Sequence, residues 1–375
     1  MFWLLVPLWF CAVVIVASGL TWTGFEWRRC PVAARRMAPV VLFIWFAYWG
    51  WSSIAGAFTD WPAHLDTVGI DGRLYYRAAA MFMHGGDPWT AYTSTNTWPP
   101  GSTQVHFFFT GPPPTVLAFV PFVWIPEPIF VAGWMALTIA AAFYTLRRLH
   151  LPFWWVLFPP MMQGILVANP QVVCLALMLA GSSWLRALAA PMKAYALIPM
   201  VALRQWRALV ILALAGLASI VLFWPLWSMY RADFAATDKW LVETTGGGWS
   251  AARDPGLWAV AAVLVVLLAL MNRRDAGWLA VPSLWPASQF FYATFVLPLR
   301  SPWLAAVLAV SHRVEYPRMS EILVVYLAFR VVHGVLGRIG VGALVWRMNP
   351  RWAARLRTSA TDMAGPSERE TISLD

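Results

Sequence analysis

The residues of this sequence that could carry chemistry begin with a charged group of four, Asp71, Arg73, Arg77 and His84. A carboxylate beside a bilayer is costly unless it is hydrated or paired, so Asp71 is a candidate functional group. The three basic residues follow one another at spacings of four and seven, so a helix would bring them to one face. Guanidinium groups form paired hydrogen bonds to phosphate oxygens. The basic residues therefore suit a phosphate, and the alternative is a helix held on anionic lipid by its basic side chains.

The stretch that must position this group has the pattern of an amphipathic helix from about Gly72 to His84. Its apolar face would be formed by Leu74, Tyr75, Ala78 and Phe82. Asp71 would precede the first turn, where acids cap helices, and Gly85-Gly86 would reverse the chain at the other end. Asp71 therefore has two interpretations, a helix cap or a functional carboxylate, and the pattern leaves both open. A helix of this kind typically lies along a membrane surface.

Composition places the whole chain in the membrane class. It has 375 residues, of which 60% are hydrophobic and 12% are charged. We expect an all-α polytopic membrane protein with about nine to twelve transmembrane helices within residues 1–340. Residues 341–375 are expected to form a cytoplasmic, partly disordered tail. The formal charge of +10 comes mostly from arginines in short connections, so it indicates orientation and not nucleic-acid binding.

Arginine clusters predict which loops face outward. The cluster near residues 28–36 is expected to be cytoplasmic, so the apolar run 37–58 emerges on the outer side. The outer loops would then be about 59–114 and 230–256, which places the active site on the periplasmic or extracellular face of the cell membrane. By the same counting, Lys193 lies on the cytoplasmic side unless its short segment inserts as a hairpin.

Proline positions predict where the apolar runs break. The run 115–146 is interrupted by Pro126 and Pro128, which favours either two short helices or a re-entrant piece followed by one span. The runs 151–167 and 172–188 are expected to cross the membrane outward and back. A membrane-surface helix in the first outer loop completes the expected architecture.

Further polar residues stand in apolar surroundings. Asn169 and Gln171, expected at the outer membrane face, need hydrogen-bond partners, which a sugar hydroxyl or a backbone group would supply. Asn169 before a proline is also a typical helix cap. Gln289 and Tyr292 form a polar pair that suits either helix–helix hydrogen bonding or ligand contact. Asp87, in a Gly-Asp-Pro-Trp sequence, is typical of a turn. The histidines and cysteines lack metal-site spacing, so we expect no metal ion and no cofactor.

Taken in order, these motifs resemble one protein family. The motifs of the first outer loop are Asp71, Tyr75-Tyr76, Ala78-Ala79, Gly86-Asp87-Pro88-Trp89, Tyr92 and a Pro-Pro pair. They resemble the first outer loop of the polyprenol-phosphate-mannose-dependent mannosyltransferases, glycosyltransferase family 87 of the C-type (GT-C) superfamily. The later similar segments are Asn169-Pro170-Gln171, Lys193-Ala194-Tyr195 and Pro286 to Tyr292. The resemblance covers about residues 37–300.

The resemblance implies an integral-membrane enzyme that takes a hexose, mannose in this family, from a polyprenyl phosphate at the outer leaflet. The acceptor would be a glycolipid or another glycan, and membrane lipids would surround the enzyme. Neither a nucleotide nor a metal ion would be needed. The family's essential acid falls on Asp71, whose expected role is general base in an inverting transfer. The residues expected to bind substrate are Arg73, Tyr75, Arg77, His84, Asp87, Asn169, Gln171, Gln289 and Tyr292.

One segment departs from the family pattern. Relatives often have histidine, beside the donor phosphate, in the segment matched here by Phe290-Phe291-Tyr292. The alternative candidates for phosphate contact are Arg77, His84, Gln289, Tyr292 and Arg300.

Two other classes of function are alternatives. One is a polytopic transporter or flippase of lipid or glycan intermediates, which should hold its ionisable residues near the bilayer midplane and not in outer loops. The other is a non-catalytic partner in a cell-envelope assembly.

Overall fold

The computed structural model describes residues 32–55, 68–90, 92–94, 105–107, 109–245, 251–286, 288–310 and 318–338. The first expected membrane segment, about 2–20, and the expected tail, 341–375, lie outside these ranges. The chain divides into two units, 1–327 and 328–375. The candidate site and all of its contacts belong to the first unit.

The described fold is helical, as expected from composition. Its α-helices are α1 Val32–Ile54, α2 Ile70–Met83, α3 Pro113–Phe119, α4 Glu127–Arg148, α5 Pro159–Leu166, α6 Pro170–Met178, α7 Ser183–Ala187, α8 Ala189–Met192, α9 Leu197–Ala202, α10 Trp206–Leu222, α11 Trp224–Thr245, α12 Pro255–Met271, α13 Arg273–Leu284, α14 Pro302–Leu308 and α15 Met319–Arg338. Short 3-10 segments connect several of them, namely Val120–Phe122, Phe153–Leu157, Ala194–Ala196, Ala251–Arg253 and Phe290–Leu299. One addition to the expected all-α class is a small antiparallel pair, β1 Tyr92–Ser94 with β2 Val105–Phe107.

Helix α4 has the length and apolar character to cross a membrane by itself. Two bent pairs would add to it if each pair forms one span: α5 with α6, and α10 with the first part of α11. The described ranges therefore hold between one and three candidate spans, fewer than the nine to twelve expected for the chain. The expected break at Pro126 and Pro128 is confirmed, because the short α3 ends before it and α4 begins there.

Neither of two expected crossings, 151–167 and 172–188, forms one continuous helix, because the helices there are short. Helices α5 and α6 have 8 and 9 residues and meet at an angle of 119°. At 1.5 Å per residue, each is about 12–14 Å long, less than half of a hydrocarbon core of about 30 Å. Prolines begin both helices, at Pro159 and Pro170, and fix where the chain restarts.

The expected second outer loop, 230–256, is helical over most of its length, and its side of the membrane stays a prediction. Helix α11 continues through it as far as Thr245. The segment carries many charged residues, but from Leu226 to Thr245 it has neither glycine nor proline, so nothing in it stops a helix.

Helix α2 begins two residues earlier than expected and is capped differently. Its N-cap is Gly69, with φ 75° and no side-chain cap, so the interpretation of Asp71 as the helix cap is wrong. At the other end, the N–H of Gly85 donates to the carbonyl of Phe82 (3.0 Å) and that of Gly86 to Met81 (2.8 Å). These two bonds form the expected chain reversal after the helix.

The buried face of α2 anchors it to the first unit. Tyr75 and Ala78, both expected on the apolar face, are buried, whereas Leu74 and Phe82 are half-buried. The Tyr75 ring packs between Phe109 and Phe119, with ring centroids at 5.2 and 5.1 Å. Aromatic contacts of this kind hold the helix against α3 and the segment before it.

Two glycines flanking α2 test how tightly its start is docked. Both have φ 75°, but a Cβ at Gly69 would be 2.5 Å from Val131 Cγ1, whereas a Cβ at Gly85 meets nothing within 4 Å. Gly85→Ala should cost only backbone strain, about 1 kcal/mol, and Gly69→Ala should cost about 1–3 kcal/mol more from overpacking. Thermal unfolding of both variants measures the difference, and equal midpoints would contradict the close contact with α4.

Candidate active site at the α5–α6 break

The candidate site is built on the turn between α5 and α6. Ala168 has φ 53°, a left-handed conformation that costs a non-glycine residue about 1–2 kcal/mol. Its N–H donates to the carbonyl of Ile165 (3.0 Å), and the N–H of Asn169 donates to that of Gly164 (2.9 Å). The two bonds close the end of α5 as a Schellman motif, with alanine where glycine is usual.

Helix α2 docks onto this turn through its own backbone. The N–H of Gly69 donates to the carbonyl of Leu166 (2.8 Å), and the N–H of Asp71 donates to that of Val167 (2.9 Å). These bonds satisfy donors that a helix N-terminus otherwise leaves unpaired. They also fix the first turn of α2, and with it the Asp71 side chain, beside the first residue of the next helix.

Asn169 joins the turn to the Asp71 carboxylate. Its Oδ1 accepts the backbone N–H of Gln171 (2.9 Å), so it caps α6, as one of its two interpretations predicts. Since Oδ1 is an acceptor, Nδ2 is the atom that faces Asp71, and it donates to Asp71 Oδ2 at 2.5 Å. Within the described ranges no hydrogen bond reaches Asp71 Oδ1, which leaves that oxygen to take a proton.

Lys193 lies at the same site. Its Nζ is 5.6 Å from the centre of the Tyr75 ring and 5.9 Å from that of Tyr292, both within cation–π range. It interacts electrostatically with Asp71 and reaches the Tyr292 hydroxyl group. The expectation that Lys193 and Asp71 lie on opposite sides is wrong, because α8 packs back against α6 and returns the chain to the site.

Tyr195 completes the polar cluster. Its ring is 4.7 Å from that of Tyr292, and it is packed further by Trp285 and Phe295. The residue is 1% exposed, and its hydroxyl group has no well-aligned hydrogen-bond partner among the described residues. A carboxylate, an amide, an ammonium group and three phenols therefore meet in an otherwise apolar interior.

Burial dominates the electrostatics of Asp71. It raises the pKa of the carboxyl group above its usual value, because the ionised form loses solvation. Lys193 and the hydrogen bond from Asn169 lower the pKa in part, since both stabilise the ionised form. The side chain remains half-buried, so a substrate hydroxyl group can reach it. The arrangement suits a carboxylate that accepts a proton beside a cation.

Comparison of the chain with protein-family models, with curated proteins and with solved structures found no match in any of the three. In the part of the chain that the structure describes, no three His, Cys, Asp or Glu side chains are grouped so that they could hold a metal ion.

The basic face of α2 is engaged elsewhere. Arg77 makes a two-pronged ion pair with Glu127, at 3.0 Å from Nε and 2.8 Å from Nη2, and Arg73 approaches the same carboxylate at 3.9 Å. Glu127 is at the start of α4, where an acid also suits the helix dipole. The two arginines therefore attach α2 to α4, which accounts for them without a phosphate.

His84 and Asp87 are not brought to Asp71. His84 is exposed at the far end of α2, about 20 Å along the helix axis from Asp71. Asp87 Oδ1 accepts the N–H of Trp89 (2.9 Å), which confirms its role in a turn, and its carboxyl group contacts that of Asp233.

Some of the remaining expected residues meet around Asp71, and the others do not. Gln171 is fully buried, with no partner for its side-chain amide among the described residues, and it rests against Gly164, where a Cβ would be 2.5 Å from its Nε2. Gln289 is half-buried at the start of the 3-10 segment, and Arg300 is exposed after its end. Tyr75, Asn169 and Tyr292 are the expected residues that meet around Asp71.

Sequence reasoning missed Lys193 and Tyr195 as site residues. The signal was present, because Lys193-Ala194-Tyr195 is one of the segments on which the expected resemblance to the mannosyltransferases rests. The positive-inside rule favoured another interpretation, in which a lysine beside a short apolar segment sets the orientation of the chain in the membrane.

Two substitutions of Asn169 separate its two hydrogen bonds. Asn169→Ser keeps an acceptor that can cap α6 but loses the donor to Asp71, whereas Asn169→Ala loses both. Both should raise the pKa of Asp71, and alanine should cost about 1 kcal/mol more stability than serine. The pH dependence of carbodiimide modification of Asp71, read by peptide mass spectrometry, and thermal unfolding measure the two effects. An unchanged pKa in both variants would contradict the 2.5 Å contact.

Proposed function

We propose that this chain is an integral-membrane glycosyltransferase that moves a hexose, mannose by the family resemblance, from a polyprenyl-phosphate sugar to a lipid or glycan acceptor. The observation that carries the proposal is the meeting of Asp71, Asn169 and Lys193 in one half-buried polar site. A base held by an amide and a cation held beside it are the two groups that such a transfer needs.

The proposed reaction is a single displacement. Asp71 Oδ1 takes the proton of the acceptor hydroxyl group while that oxygen forms a bond to the anomeric carbon. The bond from the anomeric carbon to the phosphate oxygen breaks, its electron pair leaves with polyprenyl phosphate, and the anomeric configuration inverts. The leaving phosphate needs no proton, because it is stable as an anion, and the ammonium group of Lys193 offsets its charge.

The electrostatics of Asp71 support the role of base. A raised pKa makes the carboxylate a stronger proton acceptor, provided that the group is still ionised at the working pH. Asn169 and Lys193 favour the ionised form and limit the rise. The hydrogen bond from Asn169 also distinguishes the two oxygens, because it engages Oδ2 and leaves Oδ1 for the acceptor.

The membrane location rests on the apolar helices. Helix α4 is long and apolar enough to cross a bilayer, and Glu127 at its start pairs with Arg77 of α2, which supports a position of α2 near the membrane surface. We assign the site to the outer face because the arginine clusters of the sequence favour cytoplasmic connections elsewhere.

The experiment separates transfer from transport. Purified protein in proteoliposomes receives a labelled polyprenyl-phosphate sugar in one leaflet together with a lipid extract as acceptor. An enzyme releases polyprenyl phosphate and places the label on a new lipid, whereas a flippase only moves intact donor to the other leaflet. Redistribution without release of polyprenyl phosphate would replace the glycosyltransferase proposal with the transporter.

A further inference from the structure

The strained turn beneath the site is held by a side chain from α4. Trp134 is 6% exposed, and its indole Nε1 donates to the carbonyl of Ala168 at 3.0 Å. Ala168 is the residue in the left-handed conformation, and Asn169, which follows it, carries the donor to Asp71. The buried indole bond is therefore one peptide unit away from the group that orients the carboxylate.

The indole ring is itself held by its neighbours. It packs against Phe119 and Phe130, with ring centroids at 5.0 and 6.1 Å. It also lies against α2 at Gly72, where a Cβ would be 3.0 Å from Trp134 Cδ1. The ring has little room to turn, so its N–H is a stationary donor to the turn.

Without the contacts that hold it, Ala168 would relax out of the left-handed conformation. A non-glycine residue in the left-handed conformation persists only where its surroundings hold it there. Loss of the indole donor would leave the buried Ala168 carbonyl without that partner and remove one of the contacts that oppose relaxation. Any rotation of the peptide unit between Ala168 and Asn169 then carries the Asn169 side chain with it.

We propose that Trp134 is a positioning residue of the candidate site, holding Ala168 so that the Asn169 amide meets the Asp71 carboxylate. The effect of Trp134 on catalysis rests on the proposed function, whereas its effect on the titration of the Asp71 carboxylate does not. Among the described residues, the charged and titratable groups that face Asp71 are Lys193, Tyr75 and Tyr292, and Trp134→Phe alters none of them. A change in the titration of Asp71 in this variant therefore reports the position of Asn169.

The test compares substitutions in the full-length protein in lipid nanodiscs. Carbodiimide modification of the protonated Asp71 carboxyl group is followed against pH by peptide mass spectrometry. Trp134→Phe keeps an aromatic ring and removes the N–H, and we expect the midpoint to rise by about one pH unit, or about tenfold more modification at a fixed pH above it. Adding Ala168→Gly, which adopts the left-handed conformation without strain, should return most of the shift.

Two further variants complete the comparison. Trp49→Phe is the matched control, because this buried indole has no hydrogen-bond partner for its N–H among the described residues, and its midpoint should not move. Gly72→Ala would place a Cβ 3.0 Å from Trp134 Cδ1 and 3.3 Å from Ala168 Cβ, so it disturbs both partners of the indole bond and should raise the midpoint even if Trp134→Phe does not fold. An unchanged midpoint in folded Trp134→Phe or Gly72→Ala, or an equal shift in Trp49→Phe, overturns the proposal.

The titration and the transfer assay test the positioning role and the proposed function independently. If Trp134→Phe shifts the midpoint while the unsubstituted protein transfers no sugar, the positioning role stands and the proposed function fails. If transfer is measured and the midpoint does not move, the function stands and the positioning role fails. Where both hold, Trp134→Phe should lower kcat at pH values below the raised midpoint, by up to about tenfold, with little change in KM.

Discussion

Asp71→Asn is expected to reduce sugar transfer by about 10²–10⁴-fold, the contribution typical of a general base. The amide occupies the same volume and can still accept the hydrogen bond from Asn169, but it cannot take the proton of the acceptor hydroxyl group. Binding of the polyprenyl-phosphate donor should persist, since Lys193 and the tyrosines around it are unchanged. Transfer and donor binding, measured separately on the purified variant, check the two expectations.

Stability and pH distinguish this result from unfolding. Burial raises the pKa of Asp71, so ionisation of this carboxyl group stabilises the unfolded chain relative to the folded protein. The neutral asparagine should therefore unfold at a temperature no lower than that of the unsubstituted protein. In the latter, transfer should rise with pH through a midpoint above the usual carboxyl pKa, because only the ionised form can act as base.

A natural control exists in the same chain. Asn272 caps α13 and donates to Asp275 at 2.9 Å, the same amide-to-carboxylate pairing near the surface and away from the site. Asp275→Asn should leave transfer unchanged. Full activity in Asp71→Asn, or an equal loss in Asp275→Asn, would remove Asp71 as the base.

Lys193→Gln is expected to reduce transfer by about 10²–10³-fold, which is typical for the loss of one preorganised charge-stabilising group. The leaving phosphate would separate without a nearby cation. Donor binding should weaken as well, because the same ammonium group would face the phosphate before the reaction. Lys193→Arg should recover part of the loss, since the charge returns with a different shape.

The pH dependence of transfer is a second, independent test of Lys193→Gln. Lys193 lowers the pKa of Asp71, so its removal should move the midpoint of transfer to higher pH. Lys239→Gln, at an exposed lysine in α11, is the control and should move neither rate nor midpoint. A rate loss without a shift in midpoint would mean that Lys193 acts away from Asp71.

The sequence allowed the prediction of α2, whereas the role of Asp71 as its functional residue stays a prediction. Helical spacing and the paired glycines after Met83 are local signals, and the structure places the helix and its reversal within two residues of expectation. The role of Asn169 as a cap was equally local, because an asparagine followed by proline favours one conformation. Its second bond, to a residue 98 positions away, could not be read from spacing.

The topology could not be predicted from hydropathy and arginine counts. The apolar sequence that hydropathy predicts to form spans is divided into short helices, which begin at Pro159 and Pro170. The left-handed residue between these helices is Ala168, so no glycine in the sequence signals that conformation. Lys193 was misplaced for the same reason, since its position depends on how α8 returns to α6. These features arise from packing between distant segments, which a pattern of residue types does not contain.

The central claim is that Asp71, Asn169 and Lys193 form the site that receives a polyprenyl-phosphate sugar. Its most direct test is photo-crosslinking with a donor analogue that carries a diazirine on the isoprene unit next to the phosphate, followed by peptide mapping. We predict crosslinks to the peptides that contain Lys193 and Tyr292, lost on addition of unlabelled polyprenyl phosphate and in Lys193→Gln. Crosslinks confined to the exposed faces of α10 and α12, and unaffected by either treatment, would contradict the account.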